Sequence, residues 1–227
     1  MLAIKGGKII TVTNGVIENG DVLVKDGKIV AVGQNLDIPS DACVIDATGK
    51  WVTPGFIDAH THISTFNEPR DMHSQYDGNE TTNPVTPYVR GIDALNPHDI
   101  GIEETRKGGF TTCYTGPGSA NVIGGKGCSF KLRGKTAEEM FIPGSEQMKF
   151  ALGENPKRIF GLKGKEPLTR MGSAAVARDY LTRALEYADK KDRGEHPDFN
   201  AKLDALVPVV RGEMRVRIHC HRADDIT

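Results

Sequence analysis

The rhythm of apolar and polar positions along the chain changes near residue 52. Before it, apolar residues come in short runs broken by turn pairs, the pattern of strands rather than helices. Residues 2–4 and 8–13 read as extended, and Asn14-Gly15 and Asn19-Gly20 as turns. Residues 22–25, Asp26-Gly27 and residues 28–32 make a hairpin signal, because Asp-Gly supplies the positive φ values of a type I′ turn. Residues 43–46 are a further short strand.

Beyond residue 52 the periods lengthen. Residues 56–59 form a short apolar strand, followed by a polar stretch, 64–91, rich in Asn, Asp, Pro and Thr. A long excursion of this kind is commonly functional, and His73, Arg70 and Arg90 within it are candidate substrate contacts beside their simpler reading as solvated loop residues. Asn96-Pro97 starts a helix that runs through 99–107 and stops at Gly108-Gly109. A strand follows at 110–115, then a glycine-rich loop over 116–127 that lacks the Gly-Lys-Ser/Thr ending of a P-loop. Further strands are expected at 128–132, 148–156 and 214–221, the second of them ending on the carboxylate of Glu154. One helical turn fits 136–140, and 157–169 is basic and turn-rich. Ser173 caps an amphipathic helix to Lys191 with a stripe of Val176, Tyr180, Leu181, Ala184, Leu185 and Ala188, and a shorter helix spans 200–211. Strands alternating with helices predict a parallel α/β sheet.

A formal net charge of −1 gives no electrostatic footprint for nucleic acid or an anionic membrane. No apolar run approaches the ~18 residues of a membrane span, and the first residues lack the apolar core of a secretory signal. Cys43, Cys113, Cys128 and Cys220 are scattered without a Cys-x-x-Cys pair, which reads as reduced, mostly buried thiols in a cytoplasmic protein. The expected partner is a small-molecule substrate, with self-association left open.

The chemistry begins at His60-Thr61-His62. Side chains on a strand alternate faces, so two histidines spaced i, i+2 project to the same side, about 7 Å apart along the strand. Neutral imidazoles so placed can grip one divalent cation. His-x-His alone is a weak signal. Its setting, Pro54-Gly55-Phe56-Ile57-Asp58-Ala59-His60-Thr61-His62 after Asp46-Ala47-Thr48-Gly49-Lys50-Trp51-Val52-Thr53, is stronger. It resembles the first-strand signature of the amidohydrolase superfamily, most nearly the imidazolonepropionase-like branch of metal-dependent hydrolases.

The resemblance implies a (β/α)₈ TIM barrel with a small β-sandwich built from the chain ends. With residues 1–52 as the N-terminal part of that sandwich, 53–227 have room for about five barrel strands, since such a barrel takes about 250 residues. The expectation is therefore an incomplete barrel, the N-terminal part of a longer enzyme. The resemblance assigns His60 and His62 to a metal site and suggests His219, with His221 competing on the same strand face. It also implies a bridging carbamylated lysine or a glutamate at the end of strand four. Glu154 fits that place, with Lys163 and Lys165 as alternatives. The bland readings are hydrogen-bonded structural histidines and, for Glu154, a first-turn helix acid. The metal would be zinc, with iron or manganese as alternatives, and the reaction hydrolysis of a non-peptide carbon–nitrogen bond, cyclic ones included, by metal-activated water. A deaminase or a metal-dependent dipeptidase of the same superfamily is the competing activity, and a catalytically inactive metal-binding fragment the competing class. The family's aspartate acid/base after strand eight has no counterpart among the expected strands, so no catalytic residue is assigned.

Overall fold

Residues 1–55 and the rest of the chain form two separate compact units in the computed structural model, which describes residues 1–68 and 77–226. His73 and Arg70 lie outside the described residues. In the first unit, β1 (Leu2–Ile10) is the central strand. It pairs antiparallel with β2 (Val16–Lys25) and parallel with β4 (Cys43–Asp46) and β5 (Trp51–Val52), while β3 (Lys28–Gln34) pairs with β2. The β2–β3 turn is the expected Asp-Gly hairpin, with φ of 51° at Asp26 and 73° at Gly27. Asn19-Gly20 does not turn the chain. Asn19, at φ 50°, sits in a bulge of β2 where the register against β1 shifts between Gly7 and Ile9. An extra residue in one strand needs such a kink.

The second unit is built on one sheet in the order β10-β9-β8-β7-β6. Its strands are β6 (Phe56–Asp58), β7 (Phe110–Thr115), β8 (Ile123–Lys131), β9 (Gln147–Ala151) and β10 (Val216–His219). The expectation of an all-parallel sheet fails at β8, which is antiparallel to both neighbours. The link from β7 to β8, residues 116–122, is too short for a crossover, which takes a dozen residues or more. The β8 strand also begins inside the glycine-rich segment read as loop.

Helices flank this sheet. α1 (Ile100–Lys107) is capped by Asp99, whose carboxylate accepts the Gly101 N–H, rather than by Asn96. α2 (Ala137–Met140) is the single turn expected there, capped by Thr136. α3 (Glu154–Gly161) occupies sequence expected to be a strand end and turn. α4 (Arg170–Asp192) is capped by Thr169, four residues before the expected cap, so Ser173 lies buried inside the helix. α5 (Ala201–Val210) is capped by Asn200.

One core cluster joins α4 and α5 to the sheet through Met148, Phe150, Val176, Ala184, Leu206 and Val207. A second gathers Leu95, Ile102, Cys113, Phe130, Leu132 and Met140. These contacts fix which way the strands face. Met148 and Phe150 point to the helices, so Lys149 between them points to the opposite face. The same alternation puts Tyr114 opposite Cys113. No described helix is long and apolar enough to cross a membrane. All four cysteines are free; Cys113 and Cys128 are buried, Cys220 is partly buried and Cys43 is exposed.

Candidate functional site

The strand β6 ends at Asp58, and the chain then bends through the histidine pair. The Asp58 carboxylate accepts the His60 N–H at 3.0 Å. Between the histidines, Thr61 turns the other way and donates to the Tyr114 carbonyl on β7. The two imidazoles meet edge to face with centroids 5.5 Å apart, and His60 stacks on Tyr114 at 6.0 Å. His62 Nδ1 lies 2.9 Å from the Gly116 carbonyl oxygen. A carbonyl only accepts, so Nδ1 carries the proton and Nε2 keeps its lone pair.

On β10, His219 and the following His221 form a second pair, Nε2 to Nε2 at 2.9 Å, with centroids 4.6 Å apart. Asn155 Nδ2 lies 3.2 Å from His219 Nε2 and donates to Ser119 Oγ at 2.7 Å.

The residue that relates the two pairs is Lys149, in the middle of β9. It is 2% exposed and no carboxylate pairs with it among the described residues. Burial lowers its pKa first, and the nearby Arg217 cation lowers it further. Lys149 in turn acts on His60, His62 and His219, whose pKa values all lie below the ordinary histidine value. For each the first cause is burial, and the Lys149 charge adds to it. His219 also feels His62. Burial drives the Tyr114 phenol up to about 12, and its hydroxyl is buried with no hydrogen-bond partner among the described residues.

The expected site residues therefore divide. His60 and His62 adjoin one another, as do His219 and His221, and Lys149 is the common neighbour. Among the described residues, no three His, Cys, Asp or Glu side chains cluster as a ready-made cation cage. Glu154 is not at a strand end, because β9 stops at Ala151 and Leu152-Gly153 turn the chain into α3. Its carboxylate is exposed and pairs with Lys157. Lys163 and Lys165 bond to Thr81 and Thr82 oxygens at the surface. Arg90 is taken up by Asp93. Lys149 was missed, although a signal was there: a lone lysine inside Met148-Lys149-Phe150-Ala151-Leu152 must be buried if the run is a core strand.

The donor chemistry fits a divalent cation. The pKa values of His60, His62 and His219 are lowered, His62 has its proton on the nitrogen away from Nε2, and a buried lysine whose pKa is also lowered stands among them.

Comparison with known proteins agrees in kind. A model described as "Amidohydrolase family" matches residues 43–102. An amidohydrolase of Hapsidospora irregularis is 31% identical over 234 residues, covering 91% of this chain and 24% of its own length. A dihydroorotase of Citrifermentans bemidjiense is 30% identical over 192 residues, covering 82% of this chain and 40% of its own. An adenine deaminase of Listeria monocytogenes is 34% identical over 132 residues, 58% of this chain and 17% of its own. Among solved structures, an amidohydrolase from Thermotoga maritima MSB8 superposes with a TM-score of 0.92 at 41% identity, over all of this chain and 60% of that one. The chain thus spans less than two thirds of each of these proteins, from 17% of the adenine deaminase to 60% of the Thermotoga maritima amidohydrolase.

Proposed function

Because the chain belongs to the amidohydrolase superfamily, we propose that it forms the metal-holding part of a hydrolase cleaving a non-peptide carbon–nitrogen bond, cyclic substrates included. The five-stranded sheet is read as one part of a (β/α)₈ barrel, and residues 1–52 as part of the accompanying β-sandwich. The observation that carries the reading is Lys149, buried, with no acid partner among the described residues, and close enough for its charge to act on His60, His62 and His219.

A buried lysine cation beside imidazoles would repel a metal. A neutral one would not, and its free amine adds to carbon dioxide to give a carbamate and a proton. That exchange replaces a positive charge by an anion with two oxygens facing the histidines. Lys149 accordingly takes the strand-four place expected for Glu154. With His60, His62 and His219 it supplies a mixed nitrogen and oxygen donor set suited to zinc, iron or manganese. His221, with its Nε2 2.9 Å from His219 Nε2, is the competing imidazole for the same ion. When bound, the ion supplies Lewis-acid polarisation of a carbonyl and water ionisation at neutral pH. The chain's own residues orient the site: Gly116 sets the His62 proton, Asp58 and Thr61 set the turn that carries the pair, and Asn155 holds the rim at His219.

The test is metal analysis of the purified chain after growth with and without added bicarbonate. Tight divalent metal is expected in the unmodified protein, and its loss in His60→Ala and in Lys149→Ala. Equal metal content in all three would sink the assignment. Turnover of lactams, hydantoins, imidazolones and dipeptides would then place the substrate class.

A further inference from the structure

Ala59 and His60 lie just past β6, where no strand ladder holds the backbone. Yet the peptide between them is gripped on both edges. Its N–H, on His60, donates to Asp58 Oδ1 at 3.0 Å, and its carbonyl, on Ala59, accepts from Arg217 Nη1 at 2.5 Å. Arg217 comes from β10, at the far edge of the sheet from β6. It stands two residues before His219 and so on the same strand face.

The guanidinium makes three further contacts. Its Nε donates to Gln147 Oε1 on β9 at 2.6 Å, its carbon lies 3.8 Å from the Tyr114 ring centroid on β7, and Nη1 is 3.5 Å from His60 Nδ1. One side chain on β10 thus touches β7, β9 and the end of β6 across the concave side of the sheet. Arginine suits this use because its donors radiate in one rigid plane that also stacks on an aromatic face.

We propose that Arg217 is a positioning residue, a strut that fixes the plane of the Ala59–His60 peptide and with it the direction of the His60 imidazole. The inference rests on the reading of His60 as a metal ligand, but its geometric half stands apart from that reading. Charge alone makes the opposite demand. A guanidinium near a cation site repels the cation, so removing it should tighten metal binding. A strut demands that removal weaken binding, by about tenfold or more, the usual loss when a ligand's supporting partner is taken away.

The experiment uses the 227-residue chain with Arg217→Met and Arg217→Lys, the lysine being the gentler variant because it keeps charge and stem but loses the planar fork. Two readouts are taken beside the thermal midpoint: imidazole ¹⁵N and ¹³C shifts of His60 in the metal-free chain, and Co²⁺ affinity by visible absorption. Displaced His60 signals in both variants, with Co²⁺ affinity at least about tenfold lower, support the strut. Unmoved His60 signals overturn it, as does Co²⁺ binding that is unchanged or tighter. If the unmodified chain takes up no Co²⁺ while His60 signals still move in the variants, the strut stands and the metal reading falls.

Discussion

Thr61 donates both its backbone N–H and its hydroxyl to one acceptor, the carbonyl of Tyr114, at 3.0 and 2.7 Å. The residue between two candidate ligands is thereby tied to the neighbouring strand, and the bend that presents His60 and His62 is fixed from its outer side. Thr61→Val keeps the shape and the backbone bond but removes the hydroxyl. It should lower stability by about 1–3 kcal/mol, because the hydroxyl also accepts the Ile63 N–H at 3.2 Å and two hydrogen bonds are lost together. A chemical denaturation midpoint that does not move would show that the hydroxyl contributes nothing.

Lys149 should reveal a conflict between stability and function. Its pKa is lowered in the fold, so the unfolded chain holds that proton more tightly. Stability is therefore reduced below the folded-state pKa and recovers as pH rises toward the ordinary lysine value of 10.5. Lys149→Met removes the buried charge and should stabilise the metal-free chain at neutral pH, by an amount on the order of 1 kcal/mol. The same variant should hold no tight metal. A melting experiment and metal analysis on one preparation check both halves.

The histidines set a second pH window. His60, His62 and His219 all have lowered pKa values, with burial as the first cause. Their contribution to stability is fully present above about pH 6.5, the unfolded value, and is lost as pH falls from there through the lower folded-state values. The metal-free chain should melt at lower temperature at pH 5.5 than at pH 7.5. His62→Asn should flatten that dependence, because one of the groups that must take up a proton is gone. A melting profile across this range that is as steep in the variant as in the parent would contradict it.

Gly127 carries a packing prediction. A Cβ there would lie 2.2 Å from the Tyr114 hydroxyl and 2.6 Å from the Thr115 carbonyl oxygen. The hydroxyl belongs to a ring already held by Arg217 and His60. Gly127→Ala should destabilise by about 1–3 kcal/mol through overpacking and disturb the His60 environment. Unchanged stability would mean that β8 can move away from β7 at no cost. The alkylation of thiols gives an independent check of the fold. Burial pushes Cys113 and Cys128 to about 11, so exposed Cys43 should react with iodoacetamide well before either of them.

Local patterns determined much of this protein. The Asp26-Gly27 hairpin, the strand at Phe110–Thr115, the Thr136 turn and the α4 and α5 helices follow from turn chemistry, caps and apolar periodicity, all of which act over a few residues. The His60/His62 pair was legible because its spacing and setting are themselves local. Other features depend on what the chain meets after folding. The direction of β8 was decided by a seven-residue link, 116–122, that cannot carry a crossover. Glu154 looked like a strand-end ligand until Leu152-Gly153 turned the chain into α3 and left the carboxylate in solvent. Lys149 is the clearest case: its neighbours in sequence say that it is buried, but only the packing of Met148 and Phe150 against α4 and α5 decides that its amine faces the histidines. Spacing fixes what lies on one face of one strand, whereas the meeting of residues from β6, β9 and β10 is a property of the whole sheet.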